Sequence, residues 1–285
     1  MTIGELQDEL AVVLAGPGVP PARSIARDLI AGMMGEPRFW PTAHRDGVVD
    51  ALVADAIRAA ARSLREGMPI QYAIGRAQFR HLTLAVDRRV LIPRSETELL
   101  VDLVLAAQRG GQGTVVDVGT GSGAIALALA AEGGFDRVIA TDISAEALEV
   151  ATANLSAIPE DRRARIEFRQ GSLLAPLQGE KVDTVVSNPP YISREEAARL
   201  PRLVHDWEPH TALFADDEGM AVIEALIPEA AEVLNPGGLL ALEVDSERAT
   251  RAAQAVLNDR RFTDVETRLD LTGRTRFVVA RRQEL

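Results

Sequence analysis

The spacing of hydrophobic and polar positions changes near residue 65, and this change predicts two regions of different architecture. Before it, apolar residues recur three and four positions apart, which is typical of amphipathic helices. The two clearest sets are Ile3, Leu6, Leu10, Val13 and Leu14, and then Ile25, Leu29, Ile30 and Met33. An Ala-rich stretch over residues 48–64 has the same period, and prolines separate the three. We therefore predict a small all-helical region at the N-terminus.

Beyond Gly67-Met68-Pro69 the pattern predicts a hairpin of two short strands, 71–79 and 82–86, and then a helix over Ser95–Ala107. From Thr114 onward, short apolar runs alternate with stretches of helical period. The predicted strands are 115–118, 137–141, 165–169, 182–186, 238–244, 263–268 and 275–281, and the helices are 124–131, 145–155, 221–234 and 247–257.

Alternation of strands and helices predicts a parallel sheet with helices on both faces. The last two strands are joined only by a turn at Thr272-Gly273, which is too short for a helical crossover, so they should form an antiparallel hairpin. The expected fold is α/β: a Rossmann-like seven-stranded sheet with a terminal antiparallel hairpin, preceded by a small all-α domain.

Composition narrows the class of protein. The chain has 285 residues, of which 47% are hydrophobic and 26% charged, as in soluble globular proteins. It contains no apolar run of about 18–20 residues and begins without a secretory signal pattern, so we expect a cytoplasmic protein. Cysteine is absent, which excludes disulfides and thiolate chemistry, and the four histidines lack ligand spacing, so no metal site is expected.

The net charge of −11 lies entirely in residues 81–285, because residues 1–80 contain nine Arg and nine acidic residues. An acidic surface binds polyanions poorly. The charge therefore argues against a nucleic-acid partner for the larger region.

A glycine-rich segment, Asp117-Val118-Gly119-Thr120-Gly121-Ser122-Gly123, follows the first strand of the alternating region and opens a helix. Glycines there allow a tight turn and close approach of the backbone to a ligand. Asp142 ends the next strand, 19 residues after Gly123, where a carboxylate accepts hydrogen bonds from ribose hydroxyls in nucleotide-binding βαβ units. The alternative for Asp142 is a cap on the following helix. We refer to Gly119–Gly123 as the glycine loop.

The four residues Asn188-Pro189-Pro190-Tyr191, here called the tetrad, come one residue after the predicted strand 182–186. Each proline fixes its own φ, removes a backbone N–H and holds the preceding residue extended. The loop therefore presents acceptor oxygens, including the side-chain oxygen of Asn188, beside an aromatic ring. Such a cluster suits a planar –NH2 group; the alternative is an ordinary turn after a strand.

The pattern Asp-x-Gly-x-Gly-x-Gly resembles motif I of class I S-adenosylmethionine-dependent methyltransferases, because Ala124 stands where a dinucleotide site has its third glycine. The resemblance implies S-adenosyl-L-methionine as cofactor, with Asp142 on its ribose and Ser172 and Leu173 near its adenine. Ser172 stands where many relatives have an acidic residue. Leu173 could equally be a residue of the hydrophobic core rather than a contact to the adenine. The remaining implied cofactor-binding residues are Asp117, Gly119, Thr120, Gly121, Ser122, Gly123 and Asn188.

The tetrad is similar to motif IV of methyltransferases that act on adenine N6, guanine N2 or glutamine N5. This resemblance implies that the Asn188 side-chain oxygen and the Pro189 carbonyl accept the two hydrogens of the –NH2 group, and that Tyr191 packs against its plane. The implied catalytic and substrate-binding set is Asn188, Pro189, Pro190 and Tyr191.

Flanking segments resemble the protein-(glutamine-N5) methyltransferase family, also called PrmC/HemK, over nearly the whole chain. They are Gly67-Met68-Pro69-Ile70-Gln71-Tyr72, Val90-Leu91-Ile92-Pro93-Arg94-Ser95-Glu96-Thr97-Glu98, Trp207-Glu208-Pro209 and Asp270-Leu271-Thr272-Gly273-Arg274. The resemblance implies a helical substrate-recognition domain over 1–68, a hairpin linker over 69–93 and a methyltransferase domain over 94–285. The implied substrate is the glutamine of the Gly-Gly-Gln loop in class I peptide chain release factors. We expect the enzyme to be a monomer that binds neither nucleic acid nor a membrane.

The chain departs from the family pattern at Ser95, where a second proline is usual, and before Asp216-Asp217, where relatives commonly have a Gly-Gly pair. Its own Gly110-Gly111-Gln112 is interpreted as a loop. Arg94 suggests either an anion contact or a local salt bridge, and Glu96 and Glu98 either favour the helix dipole or contact a ligand.

Two other functions remain open from the sequence. One is an amino methyltransferase of nucleic acid, which would need an unpaired or flipped base and is disfavoured by the acidic charge. The other is a non-catalytic partner of the ribosome or of a release factor, which the intact tetrad and glycine loop disfavour.

Overall fold

The computed structural model describes residues 1–16, 21–107 and 112–284. Within them the chain divides into two compact units. The first comprises Met1–Arg76 together with Pro201–Trp207, and the second comprises Ala77–Leu200 and the residues from Glu208 onward. The first of these units therefore extends from the N-terminus through Arg76, within the segment 69–93 that was predicted to be a hairpin linker. Most of Gly110-Gly111-Gln112 lies outside the described residues.

The first unit is helical, as predicted. Its helices are α1 (Ile3–Leu14), α2 (Ala22–Met34), α3 (Trp40–Ala43), α4 (Ala51–Arg65) and α5 (Ile70–Ile74), with α10 (Arg202–His205) contributed from later in the chain. Thr2 begins α1 with a capping box, because its hydroxyl accepts from the Glu5 N–H and the Glu5 carboxylate accepts from the Thr2 N–H. The apolar faces that set the helical period, including Leu6, Leu29 and Ile57, form the core of this unit.

The prediction of a strand starting at residue 71 is wrong. Residues Ile70–Ile74 form α5, and the strand β1 begins only at Arg76. Pro69 precedes the first turn, where a proline is well tolerated, and Gly75 ends the helix with a left-handed φ of 76°. The two residues bracket a single helical turn that is too short to show a period.

The second unit is built on a mixed seven-stranded sheet. A separate hairpin, β1 (Arg76–Phe79) with β2 (Leu82–Ala85), precedes it. The sheet strands are β3 (Thr114–Val118), β4 (Arg137–Asp142), β5 (Ile166–Gln170), β6 (Val182–Ser187), β7 (Leu234–Glu243), β8 (Phe262–Leu269) and β9 (Thr275–Arg282), in the order β5-β4-β3-β6-β7-β9-β8. The pairs are parallel except β7 with β9 and β8 with β9. The predicted Rossmann-like sheet with a terminal antiparallel hairpin is confirmed.

Helices cover both faces of this sheet. They are α6 (Ser95–Ala107), α7 (Ala124–Glu132), α8 (Ala145–Ala153), α9 (Glu160–Arg163), α11 (His210–Leu213), α12 (Ala221–Val233) and α13 (Ala249–Asn258), and short 3₁₀ turns occupy Asn154–Ala157, Ala175–Leu177, Arg194–Arg199 and Asp217–Gly219. Alternate strand residues enter two separate apolar clusters: Val116 and Val185 pack on the α12 side, and Val115 and Val186 on the α6 and α7 side. The carboxyl ends of β3, β4, β6 and β7 meet along one edge, where parallel α/β sheets bind ligands.

Candidate active site

The tetrad and the glycine loop start from paired positions on neighbouring strands. Val118 ends β3 and is in register with Ser187, which ends β6. The Ser187 hydroxyl also donates to the Val118 carbonyl at 2.7 Å, which ties the two strand ends together. Adjacent strands lie about 4.8 Å apart, so Gly119 and Asn188 leave the sheet side by side.

The glycine loop turns tightly and leaves one side open. The N–H groups of Gly119 and Thr120 both donate to the Thr141 carbonyl at 2.9 Å, and the glycines 119, 121 and 123 have φ values of 72°, 55° and 82°. A Cβ on Gly119 or Gly121 would meet no heavy atom within 4 Å, whereas one on Gly123 would lie 3.3 Å from the Cβ of Ala151. The third glycine therefore serves close packing of α7 on α8, and the first two border open space.

Asp117 supports the loop from beneath. Its side chain is fully buried, and its Oδ2 accepts from the Thr120 hydroxyl at 2.6 Å and from the Ala126 N–H at 3.1 Å. Oδ1 is buried without a hydrogen-bond partner, and burial raises the pKa of Asp117 to about 7. Ser122 is also buried. The surface that a ligand can reach is consequently formed by Gly119 and Gly121.

Asp142 joins the glycine loop to the end of β4. Its Oδ2 accepts from the Gly121 N–H at 2.9 Å, and its Oδ1 accepts from the Ser144 N–H at 2.9 Å. Ser144 itself caps α8 by accepting from the Ala147 N–H at 3.1 Å, so Asp142 is not the capping residue. Each carboxylate oxygen accepts more than one hydrogen bond, which leaves Asp142 capacity for a ligand hydroxyl.

Apolar groups border the other side of Asp142. Leu173 is half-buried against the core with a φ of 47°, and its carbonyl accepts from the Thr141 hydroxyl at 2.9 Å, while Ser172 is exposed. Ile143 is 66% exposed directly after Asp142. Sequence reasoning missed Ile143; the available signal was a large apolar residue in a turn between two polar ones.

The tetrad is anchored at both ends. Pro189 is buried, and Tyr191 packs against the core cluster. Burial raises the pKa of the Tyr191 hydroxyl to about 12, so the ring stays neutral. The next residue, Ile192, donates its N–H to the Leu213 carbonyl at 3.0 Å and accepts from the Ala215 N–H at 2.9 Å.

Two polar residues that sequence reasoning missed hold the site from behind. Thr97, in the first turn of α6, accepts from the Asn188 side-chain Nδ2 at 3.1 Å. Asn154 donates to the Ser122 carbonyl at 2.9 Å and exchanges hydrogen bonds of 2.6 and 3.0 Å with the backbone of Ala85. Thr97 lies in a segment that resembles the family, but no site role was assigned to it, and Asn154 is an ordinary polar residue near a helix end.

The charged residues near α6 form structural pairs. Arg94 donates to both carboxylate oxygens of Glu208 at 2.6 and 2.8 Å, and the Glu208 side chain has no exposed surface. Arg94 therefore forms a salt bridge, but with a residue 114 positions away in the sequence rather than with a local partner. Glu98 accepts from the Arg80 N–H at 2.9 Å, which occupies one of its oxygens.

Within residues 1–16, 21–107 and 112–284, no group of three or more His, Asp or Glu side chains is arranged to hold a metal ion. Over those same ranges, no helix combines the length and the apolar character needed to cross a bilayer.

The sequence is similar to those of known methyltransferases. Residues 95–206 match the family model described as methyltransferase small domain. The chain is 42% identical over 269 residues to the release factor glutamine methyltransferase of Mycolicibacterium smegmatis, covering 94% of each protein. It is 37% identical over 291 residues to the protein of the same name from Mycobacterium tuberculosis, covering 99% of this chain and 92% of that one.

Among solved structures, the fold is similar to ribosomal protein L11 methylase from Lactobacillus delbrueckii subsp. bulgaricus, with a TM-score of 0.50, 25% identity, and coverage of 72% of this chain and 96% of that one. The relatives match over most of their own length, so the similarity includes both the helical unit and the sheet. The chain therefore belongs to the release factor glutamine methyltransferase family, whose members are S-adenosylmethionine-dependent enzymes.

Proposed function

We propose that this enzyme transfers a methyl group from S-adenosylmethionine to N5 of the glutamine in the Gly-Gly-Gln loop of class I peptide chain release factors. The observation that carries the proposal is the register of Val118 with Ser187, which starts the glycine loop and the tetrad side by side. A donor bound at the loop and a carboxamide held by the tetrad would then share one edge of the sheet.

The residues present fit the cofactor. A Cβ at Gly119 or Gly121 would fill the open side of the loop, and that space suits the amino-acid half of the cofactor. Asp142 has acceptor capacity left for ribose hydroxyls, and Ile143 and Leu173 offer apolar surface to a base, with Ser172 beside them. Asp117, Thr120, Ser122 and Gly123 would act by holding the shape of the loop.

The bound cofactor supplies an electrophilic methyl carbon. An amide nitrogen is a weak nucleophile, so its orientation decides the rate. The Asn188 side-chain oxygen and the Pro189 carbonyl would accept the two N–H hydrogens, and Tyr191 would pack against the carboxamide plane. As the nitrogen bonds to the methyl carbon, the bond from that carbon to the donor sulfur would break and its electron pair would stay on sulfur. The nitrogen would carry the developing positive charge, which the two acceptor oxygens stabilise, and would then release one proton to water without a side-chain base.

We further propose that the helical unit recognises the release factor. Residues 1–80 carry equal numbers of basic and acidic side chains, and Leu52 at the start of α4 is 81% exposed. Photo-crosslinking from position 52 should capture the release factor, and failure of every exposed position of α4 to do so would contradict this role. We propose a cytoplasmic monomer; sedimentation as a dimer or fractionation with membranes would argue otherwise.

Replacing Asp142 is expected to weaken cofactor binding. Asp142→Ala removes the ribose acceptor and the tether to the Gly121 N–H, and leaving such groups unpaired costs about 1–3 kcal/mol. The dissociation constant measured by calorimetry should rise about 5- to 150-fold. An unchanged constant would refute the ribose assignment.

Ser144→Ala provides the matched control for that measurement. It removes the cap of α8 two residues away and should lower the free energy of unfolding by about 1 kcal/mol. Cofactor affinity should stay within about twofold, since Ser144 is not proposed to touch the ligand. An equal loss of affinity in both variants would indicate a general disturbance of the β4–α8 turn.

The proposed function is tested by incubating the enzyme with labelled S-adenosylmethionine and either a release factor, the same factor with its Gly-Gly-Gln glutamine changed to alanine, or RNA and DNA. Label should enter only the unchanged factor, and mass spectrometry should place one methyl group on that glutamine. Label found only in nucleic acid would support an adenine or guanine methyltransferase, and no label in any sample would support a non-catalytic partner.

A further inference from the structure

A buried polar chain lies behind Asn188. Its side-chain Nδ2 donates to the hydroxyl of Thr97 at 3.1 Å, and that hydroxyl is hydrogen-bonded in turn to the carboxylate of Glu243 at the end of β7. Thr97 is 5% exposed and Glu243 is 1% exposed. The three residues come from three separate segments of the fold, so this series of hydrogen bonds forms only in the folded protein.

The hydrogen bonds that link Asn188, Thr97 and Glu243 all run in one direction, from donor to acceptor. A threonine hydroxyl has one hydrogen, and an ionised carboxylate can only accept. Thr97 therefore gives its hydrogen to Glu243 and must accept from Asn188, which places the Nδ2 of Asn188 toward Thr97 and its oxygen on the opposite side. The two ends of a carboxamide have nearly the same shape, so packing alone does not select between them.

We propose that Thr97 and Glu243 are positioning residues that present the oxygen, rather than the nitrogen, of the Asn188 carboxamide to the substrate. The inference rests on the proposed role of Asn188 as a substrate clamp. With the amide reversed, the –NH2 of Asn188 would face the –NH2 of the substrate, and two donors cannot bond to each other.

Stability alone gives no reason for this arrangement. Oε2 of Glu243 is buried without a hydrogen-bond partner, which is an unfavourable state for a carboxylate in the fold. An apolar residue at the same place would usually be at least as stable.

Ionisation of Glu243 falls in an accessible pH range. Burial raises its pKa to about 7; the hydrogen bond from Thr97 and the charges of Arg276 and Arg94 lower it, and the charge of Glu96 raises it. Tyr191 and Asp245 face the same cluster. Because the ionised form enforces the direction of the chain, kcat should rise as the pH passes upward through about 7.

The test compares Thr97→Val, Thr97→Ser and Glu243→Gln with the unchanged enzyme, using saturating cofactor and a release factor as substrate. Thr97→Val should lower kcat about tenfold or more while the KM for release factor and the dissociation constant of the cofactor stay within about twofold. Thr97→Ser keeps the hydroxyl and should restore most of the rate. Cofactor affinity and the unfolding midpoint report whether each variant is folded.

Glu243→Gln should give a kcat that is independent of pH between about 6 and 8 and close to the low-pH value of the unchanged enzyme. Asp117, whose pKa is also raised to about 7, is present in every variant, so the difference between the two profiles isolates Glu243. Identical profiles of kcat against pH for Glu243→Gln and the unchanged enzyme would overturn the inference.

Equal losses in Thr97→Ser and Thr97→Val would also overturn it, because they would indicate packing rather than a directional hydrogen bond. If both Thr97→Val and Glu243→Gln keep full activity while Asn188→Ala is inactive, this inference fails and the proposed function stands. If Asn188→Ala itself remains active, the proposed clamp fails first.

Discussion

Asn188→Ala is expected to lower the rate of release-factor methylation by about 10²- to 10³-fold, the range measured when one preorganised polar contact to a transition state is removed. The substitution deletes the side-chain oxygen proposed to accept one N–H of the substrate amide. Tyr191 and Pro189 remain, but the carboxamide plane is no longer fixed. Cofactor affinity should change by less than about twofold, because the glycine loop and Asp142 are untouched.

Asn235→Ala is the matched control. Asn235 lies at the beginning of β7, at the other end of the same strand as Glu243, and its side chain donates to Asp183 at 2.8 Å. Its replacement should reduce the free energy of unfolding by about 1 kcal/mol without altering kcat. A parallel fall of cofactor affinity and rate in Asn188→Ala would show that this residue is not a substrate clamp.

The positions of the strands could be predicted from the sequence because they depend on local patterns of apolar residues. The apolar run ending at Val186 and the short run ending at Val118 each marked a strand, and the two are adjacent in the sheet. The short connection at Thr272-Gly273 identified the antiparallel hairpin for a geometric reason, since no helix fits in it.

The supporting residues of the site were not readable, because they depend on contacts between distant segments. Glu243 looks like a polar residue that ends an apolar strand, and Thr97 looks like part of a helix start. Only the fold brings them together behind Asn188. The burial of Asp117 was equally hidden, because a carboxylate in a glycine-rich turn reads as a ligand-facing group.

Gly219 is the position where a small change should disturb the tetrad most. It lies at the end of a 3₁₀ turn with a φ of 87°, and a Cβ there would overlap the carbonyl oxygen of Tyr191 and the Nε of Arg248. Arg248 is nearly buried and donates to the Glu218 carbonyl at 2.6 Å and to Asp245 and Glu196. Neither neighbour can yield without breaking hydrogen bonds or moving the loop that carries the tetrad.

We therefore expect Gly219→Ala to lower the free energy of unfolding by about 2–5 kcal/mol, combining about 1–2 kcal/mol for the left-handed φ with about 1–3 kcal/mol for overlap. The rate of methyl transfer should fall about 10²-fold, because a shift of roughly 1 Å in the tetrad misaligns the amide. Urea unfolding and steady-state kinetics measure the two effects.

Gly179→Ala separates the two causes, because Gly179 has nearly the same φ of 85° but no heavy atom within 4 Å of a Cβ. Gly179→Ala should lower the free energy of unfolding only by the cost of the left-handed φ, about 1–2 kcal/mol, and the rate of methyl transfer should not change. If the two variants lose equal stability and both stay active, the close approach of Gly219 to Tyr191 does not hold the tetrad in place. A loss of rate confined to Gly219→Ala would instead tie catalysis to the backbone position of Tyr191, since the strain of the left-handed φ is common to both variants.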